Sequence, residues 1–395
     1  MERVDVLIVG GGMIGLSLAA ALGDSDLRVM ISDQGSKPEV DPPEPKHKDR
    51  WILRSGIRPR VTTIAKAQWN FLTRIGASVS APAYSRIEVW DGEGTGTVSF
   101  SAEDLGETEL GYIAENDRLC AALVELLHTR CDVNLHWDTP LVAINKVDDG
   151  YVIDTQDGKW HTTLLVGADG GRSQVRKMAN LSAVHWSYDQ QGVVACVETE
   201  NSHCGVARQW FTTDGILAFL PLADRHLCSI VLSCENAQAI LAMDEREFAG
   251  LLTDLSEGEL GDIVAVDERL VFPLAQQHSL RYVRQNLALI GEAAHTIHPL
   301  AGQGANIGLA DAWALSLVLK QARLEGRSLG DIQLLNGYQR ARRNDNIMTA
   351  ALMEIFVRGF ASRNPVVRWL RNKSMNVVNE SRFLKTLVTR YATLR

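Results

Sequence analysis

A glycine turn set between two short strands constrains this chain more than any other feature. Residues 4–9 read Val-Asp-Val-Leu-Ile-Val, a β-branched run. Gly10-Gly11-Gly12-Met13-Ile14-Gly15 follows, and Leu16–Leu22 favours helix up to Gly23. A second run, Arg28–Ser32, ends at Asp33. Strand, glycine turn, helix, strand and acid in this order predict a dinucleotide-binding unit of a parallel sheet. Gly10 permits the tight turn, Gly12 lets backbone approach a pyrophosphate, and Gly15 lets helix pack on strand. The helix start presents N–H groups and a partial positive charge to the phosphates. Asp33 stands 23 residues after Gly10, where a carboxylate accepts from a ribose hydroxyl. The turn alone does not separate FAD from NAD.

Composition narrows the alternatives. With 46% hydrophobic and 22% charged residues, disorder is excluded for the bulk of the chain. No apolar run approaches the ~20 residues of a membrane span. Val4 already begins a strand, so no signal peptide is expected and the location expected is cytoplasmic. The six cysteines (Cys120, Cys131, Cys196, Cys204, Cys228, Cys234) never form a Cys-x-x-Cys pair, which predicts free thiols and no metal site. A net charge of −8 argues against nucleic acid as a partner, but the charge is uneven. From Tyr338 to Arg395 there are 12 Lys/Arg against 3 Asp/Glu, a net +9 that leaves −17 on the rest.

Two later tracts repeat the pattern of an apolar strand running into glycines. Leu164-Leu-Val-Gly-Ala-Asp169-Gly170-Gly-Arg-Ser173 is the first. Leu287-Ala-Leu-Ile-Gly291-Glu292 is the second, followed by the Pro/Gly loop His295-Thr-Ile-His298-Pro299-Leu-Ala-Gly302-Gln303-Gly304 and a helix from about Ala305. Together with the N-terminal turn, these motifs resemble the class A flavoprotein monooxygenases. The tract 295–304 is similar to that of the ubiquinone-biosynthesis hydroxylases of the UbiH/UbiF/VisC type. Arg60–Ile64, Gly111–Asn116 and Val206–Gln209 extend the likeness over nearly the whole chain. Gly215–Leu222 with His226–Val231 resembles most the 2-polyprenylphenol hydroxylase (VisC/UbiI) branch. Relatives usually carry Asp where this chain has Glu292.

The resemblance implies an α/β fold: a Rossmann-like FAD-binding domain of the p-hydroxybenzoate hydroxylase type, a mostly antiparallel substrate sheet and a C-terminal helical segment. It implies FAD as cofactor, NADPH or NADH as transient reductant, and hydroxylation of a polyprenylated phenol by O₂ through a C4a-hydroperoxyflavin, with ring C5 of 2-polyprenylphenol as the expected position. Gly10–Gly15 and Asp33 then serve the dinucleotide. Glu292 and Asp169-Gly170 serve the ribityl chain. Pro299, Gly302, Gln303, Gly304, Ala305, Asn306 and Ile307 wall the isoalloxazine, where rigid and side-chain-free backbone comes close. Arg60 reaches the pyrophosphate or flavin edge, against a surface salt bridge as the plainer reading. Asn116 contacts FAD, against simple N-capping. His298 is the candidate for a proton role with the phenol, alongside Pro299 in the catalytic rim. His295 is the lesser candidate, since a histidine beside an acid is often structural. Ser173 and Arg176 brace the Asp-Gly turn.

The remaining segments give the frame. Short alternating strands in 186–235 and 263–273, joined by Ile87–Trp90 and Thr97–Phe100, predict a sheet lying over the flavin. Phe219, Leu220, Pro221 and Phe272 are its candidate substrate contacts. Gly92–Gly96 reads as a hairpin turn. Residues 1–80, 105–185 and 274–338 are assigned to the FAD-binding domain, 81–104 and 186–273 to the substrate sheet, and 339–395 to a helical tail broken near Arg363-Asn364-Pro365. That tail, apolar at helical spacing and basic, suits either packing on the domain or docking to an anionic membrane surface or protein partner, and a homo-oligomer stays open. A hydroxylase of another aromatic or polyketide compound, or a non-catalytic flavoprotein-like scaffold in a biosynthetic complex, are the competing functions.

Overall fold

The computed structural model describes residues 1–38, 51–53, 57, 60–130, 132–212, 215–297, 302–362, 364–381, 385–386 and 388–389, without the side chains of Tyr188 and Ala361. Cys131 and most of Lys46–Pro59 lie outside them.

The first sheet grows from the β-branched N-terminal run. Glu2–Val9 pairs in parallel with Gly158–Gly167 on one side and with Val29–Ser32 on the other. Leu287–Leu289 and Val133–His136 extend the parallel order outward. A central parallel strand is covered on both faces, which is why Val6, Leu7 and Ile8 are fully buried without polar alternation. The helix Met13–Leu22 is buried nearly all round, wedged against the helices Asn116–His128 and Gln303–Leu324.

The second sheet has nine described strands and lies over the carboxyl ends of the first. Its order runs His295–Thr296, Leu270–Ser279, Ala183–Thr199, Leu227–Cys234, Ile216–Pro221, Val206–Phe211, Arg86–Asp91, Thr97–Ser101, with Ile263–Val266 on the side of Ala183–Thr199. All pairings are antiparallel except Val206–Phe211 with Arg86–Asp91. Gly92–Gly96 closes the hairpin of the last two strands, with Gly94 N–H donating to Asp91 O. Ala183–Thr199 and Leu270–Ser279 reach into residues 183–185 and 274–279, which the sequence reading assigns to the first unit. The face away from the first sheet is filled by Trp210, Phe219 and Phe248, with Trp90 stacked on Trp210 at 4.6 Å.

The tail is helical from Ile332 to Ala361 and again from Pro365 to Glu380, so the first of these helices starts seven residues before the expected Gln339. Two buried polar knots tie it down. In the first, Asp311 is fully buried and accepts from His295 Nε2 (2.5 Å), Arg342 Nε (2.8 Å), Asn346 Nδ2 (3.2 Å) and the Gly291 N–H (3.2 Å). Burial opposes its charge, yet His295 and Arg342 outweigh burial and hold the carboxyl below its usual range. In the second, Arg371 grips Asp91 with two hydrogen bonds (2.7 and 2.6 Å) and donates to Phe360 O.

Two outcomes follow. Removing one partner of a buried ion pair strands the other, so Asp91→Ala is expected to cost about 3–5 kcal/mol. Thermal melting and limited proteolysis around 362–381 check this, and wild-type behaviour in both would refute the clamp. His278, packed beside Tyr282 and paired with His295 in the sheet, is pushed down to about 4 by burial, then by His295 and Arg343. A histidine depressed in the fold contributes stability that is complete above its unfolded value of about 6.5 and is lost as pH falls towards 4. His278→Gln should therefore flatten the melting temperature between those pH values; a slope as steep as the wild type's contradicts it.

Candidate functional site

The carboxyl ends of the parallel strands open into a cleft of about 1250 Å³ roofed by the second sheet. That exceeds the roughly 300–1,000 Å³ of an ordinary small-ligand pocket, enough for a dinucleotide and a second ligand.

Its floor is built by glycines. Gly10 has φ +116°, and a Cβ there would lie 2.3 Å from Ala168 O, so the first turn and the Asp169-Gly170 turn meet backbone to backbone. A Cβ on Gly15 would lie 2.0 Å from Gly10 O, which makes Gly15 a packing residue behind the cleft. Gly11 also sits behind it, under Trp137. Gly12 is different. It caps the helix Met13–Leu22 with no side-chain partner, and a Cβ there would meet nothing within 4 Å. Gly10, Gly12, Met13 and Ile14 line the cleft. Open space over an uncapped helix start is what a pyrophosphate requires.

Asp33 lines the same end but is already engaged, accepting from the N–H groups of Gly11 (2.5 Å) and Gly35 (2.7 Å). Arg60 and Asn116 line it too. Asn116 is not the N-cap: Glu115 holds that place, and the Asn116 amide oxygen accepts from Thr62 Oγ1 at 2.6 Å.

Asp169 and Glu292 divide. Asp169 accepts from two first-turn N–H groups of the helix Gln174–Met178, those of Gln174 (2.6 Å) and Val175 (3.1 Å), and from the Oγ of its N-cap Ser173. Arg176 is buried and bridges three segments, donating to Gly171 O (2.8 Å), Ala293 O (2.8 Å) and Gln277 Oε1 (3.0 Å). It therefore joins both cofactor-side turns to the roof. Glu292 is exposed and lines the cleft, and its carboxylate has no hydrogen-bond partner among the described residues. It is the free acceptor of the pair.

His298 and Pro299 lie outside the described residues. The rim resumes at Gly302, where φ is +62° and a Cβ would lie 1.7 Å from Thr63 Oγ1, so only glycine fits. Gly302, Gly304 and Ala305 line the cleft. Gln303, Asn306 and Ile307 do not. Asn306 is buried and spent on bracing, accepting from Ala65 N–H (2.8 Å) and donating to Thr63 O (2.8 Å) and Gly302 O (3.0 Å). Ile307 packs with Ile297 and Ala350. His295 is bound to Asp311, away from the cleft.

The roof is mainly apolar: Ile87, Val194, Leu220, Val231 and Phe272 line it, with Arg208, Gln209 and Ser233 as its polar residues. Along Ile216–Pro221, Ile216, Ala218 and Leu220 face the cleft, so Phe219 and Pro221 turn the other way. Phe219 packs edge-on against Trp210 in the opposite core. Leu220 and Phe272 remain as candidate contacts. Gln209, which its sequence context alone does not single out, stands on the cleft face with no hydrogen-bond partner for its amide among the described residues. Its alternation with Ala207 in Val206–Phe211 was the available signal.

The floor, the free Glu292 and the space at Gly12 and Gly304 fit FAD. A family model described as the FAD binding domain matches residues 95–351. The chain is 34% identical to the 3-demethoxyubiquinol 3-hydroxylase of Escherichia coli (strain K12), covering 99% of this chain and 98% of that one. It is 33% identical to the ubiquinone hydroxylase UbiL of Rhodospirillum rubrum, over 98% and 89%. In fold it is similar to the p-nitrophenol 4-monooxygenase PnpA of Pseudomonas putida DLL-E4, with a TM-score of 0.79 and 19% identity over the whole of both chains. The chain thus belongs to the FAD binding domain family and is an FAD-dependent monooxygenase.

Proposed function

We propose that this enzyme hydroxylates a polyprenylated phenol in ubiquinone biosynthesis, with C5 of 2-polyprenylphenol as the position. The observation that carries the reading is one unbroken cleft from Gly10 and Gly12 to the mainly apolar roof of Leu220, Phe272, Val194 and Val231. Such a roof accepts an aromatic ring with a hydrocarbon tail better than a charged substrate. The names of the E. coli and R. rubrum relatives support the pathway. The former also supports a second reading, in which the substrate is a demethoxyubiquinol and the carbon a different one.

Bound FAD supplies the electron transfer and oxygen activation, and NAD(P)H is the usual reductant in this family. The chain's own residues position and shelter. The backbone from Gly10 to Gly12 and the first helical N–H groups take the pyrophosphate, with Arg60 beside them. Glu292 accepts from the ribityl hydroxyls. Gly302, Gly304 and Ala305 bring bare backbone and a methyl group to the flavin edge. The roof keeps water from the reacting face. Gln209 fixes the ring by a hydrogen bond to its hydroxyl. Asp33, Asn116, Asp169 and Asn306 act through the segments they hold.

Glu292→Ala is expected to weaken FAD by about 1.5–3 kcal/mol, on the order of tenfold to a hundredfold in an absorbance titration, with Glu292→Asp near wild type. Unchanged affinity in Glu292→Ala removes the ribityl assignment. Gln209→Leu should keep its flavin but lose about tenfold in kcat/KM and release peroxide instead of product. Full coupling in that variant rejects the positioning role. Quinone-intermediate profiling by mass spectrometry in a deletion strain decides the substrate. Accumulated 2-polyprenylphenol supports the first reading, accumulated demethoxyubiquinol the second, and normal ubiquinone neither.

A further inference from the structure

The helix Pro365–Glu380 is held in one rotation by what lies beneath it. Arg371 and Met375 are buried, with Arg371 on Asp91. The Asn372 amide oxygen accepts from the N–H groups of Gly96 (2.6 Å) and Thr95 (3.1 Å), and that of Asn379 from the Ser99 N–H (3.3 Å). That grip leaves Val366, Trp369, Leu370, Lys373 and Val377 on the outer face, at the spacing of one helical stripe. Trp369 is 58% exposed and Leu370 51%. The Lys373 ammonium lies 4.9 Å from the Trp369 ring and has no carboxylate partner among the described residues. In the preceding helix, Met348, Ile355 and Phe356 are exposed as well.

A row of large apolar side chains turned outward from a clamped helix marks a docking face. Charge selects its occupant. The net +9 from Tyr338 onward stands against −17 on the rest of the chain, and although Arg342 and Arg371 are spent on Asp311 and Asp91, the remaining excess of cations favours an anionic surface. Tryptophan with lysine is the composition of a membrane–water boundary. With sixteen residues, including Arg371 and Lys373, the helix suits lying along a bilayer rather than crossing it. The layer beneath continues inward: Phe360, Met375, Met353 and Val357 pack with Ile216, which also lines the cleft.

We propose that the outer face of Pro365–Glu380 docks the enzyme on an anionic lipid bilayer, with the Ile216 end of the cleft on the lipid side. The proposal rests on the surface and not on which phenol is hydroxylated, so its test needs no turnover. FAD-loaded enzyme is floated with phosphatidylcholine vesicles with or without phosphatidylglycerol. Binding should require phosphatidylglycerol, weaken with salt, and fall on the order of tenfold in Lys373→Glu and further in the double variant Trp369→Glu, Leu370→Glu. Trp369→Phe should still float, and flavin content and the circular dichroism spectrum should match the wild type in every variant. The proposal is overturned if the wild type floats with neither vesicle, if it floats equally with both, or if correctly folded Trp369→Glu, Leu370→Glu floats undiminished. It is equally overturned if the wild type ignores vesicles and sediments as a dimer that the double variant dissolves, since a second copy then covers the face.

Discussion

Backbone meeting backbone where parallel strands end is the constraint on which the molecule depends. Gly10 admits the Ala168 carbonyl at a distance no side chain tolerates. Ile14 reaches from the first helix into the space left by Gly291 and Gly308, where added Cβ atoms would lie 3.3 and 2.9 Å from its side chain. Three stretches far apart in sequence are thereby gathered under one roof. Arg176 then ties two of them to that roof by donating to Gly171, Ala293 and Gln277. The cleft owes its shape to these close approaches more than to any residue facing into it.

The buried charges follow the same logic. Desolvating Asp311 is unfavourable by itself. Four donors surround it, from His295, Arg342, Asn346 and the Gly291 backbone, and their convergence couples the long tail helix to the segment carrying Glu292. A histidine that the sequence offers for proton transfer thus becomes part of the scaffold. The same economy applies to Asn306 and Asn116, whose amides are committed to Thr63, Ala65 and Thr62.

Local features were legible in the sequence. The first turn, the second strand with its acid, the Asp-Gly and Gly-Glu tracts, the hairpin at Gly92–Gly96 and the antiparallel character of the roof each depend on a short window whose chemistry is self-contained. What was not legible depends on tertiary neighbours. Period two says that Phe219 and Leu220 face opposite ways but not which of them meets the cleft. Whether Asp169 or Glu292 keeps a free carboxylate is set by the N–H groups of Gln174 and Val175, which reach only the first. Residues 295, 311, 342 and 346 carry no common motif, and the knot they form exists only once two helices pack.

The asparagines of the helix Pro365–Glu380 have a consequence beyond anchoring. Thr97–Ser101 is the terminal strand of its sheet, the kind of border at which a foreign chain can add itself through free main-chain donors. Asn372 and Asn379 occupy the donors of Thr95, Gly96 and Ser99 with side-chain oxygens. The helix thus acts as a selvedge, finishing the weave of the sheet so that it neither frays nor recruits another thread.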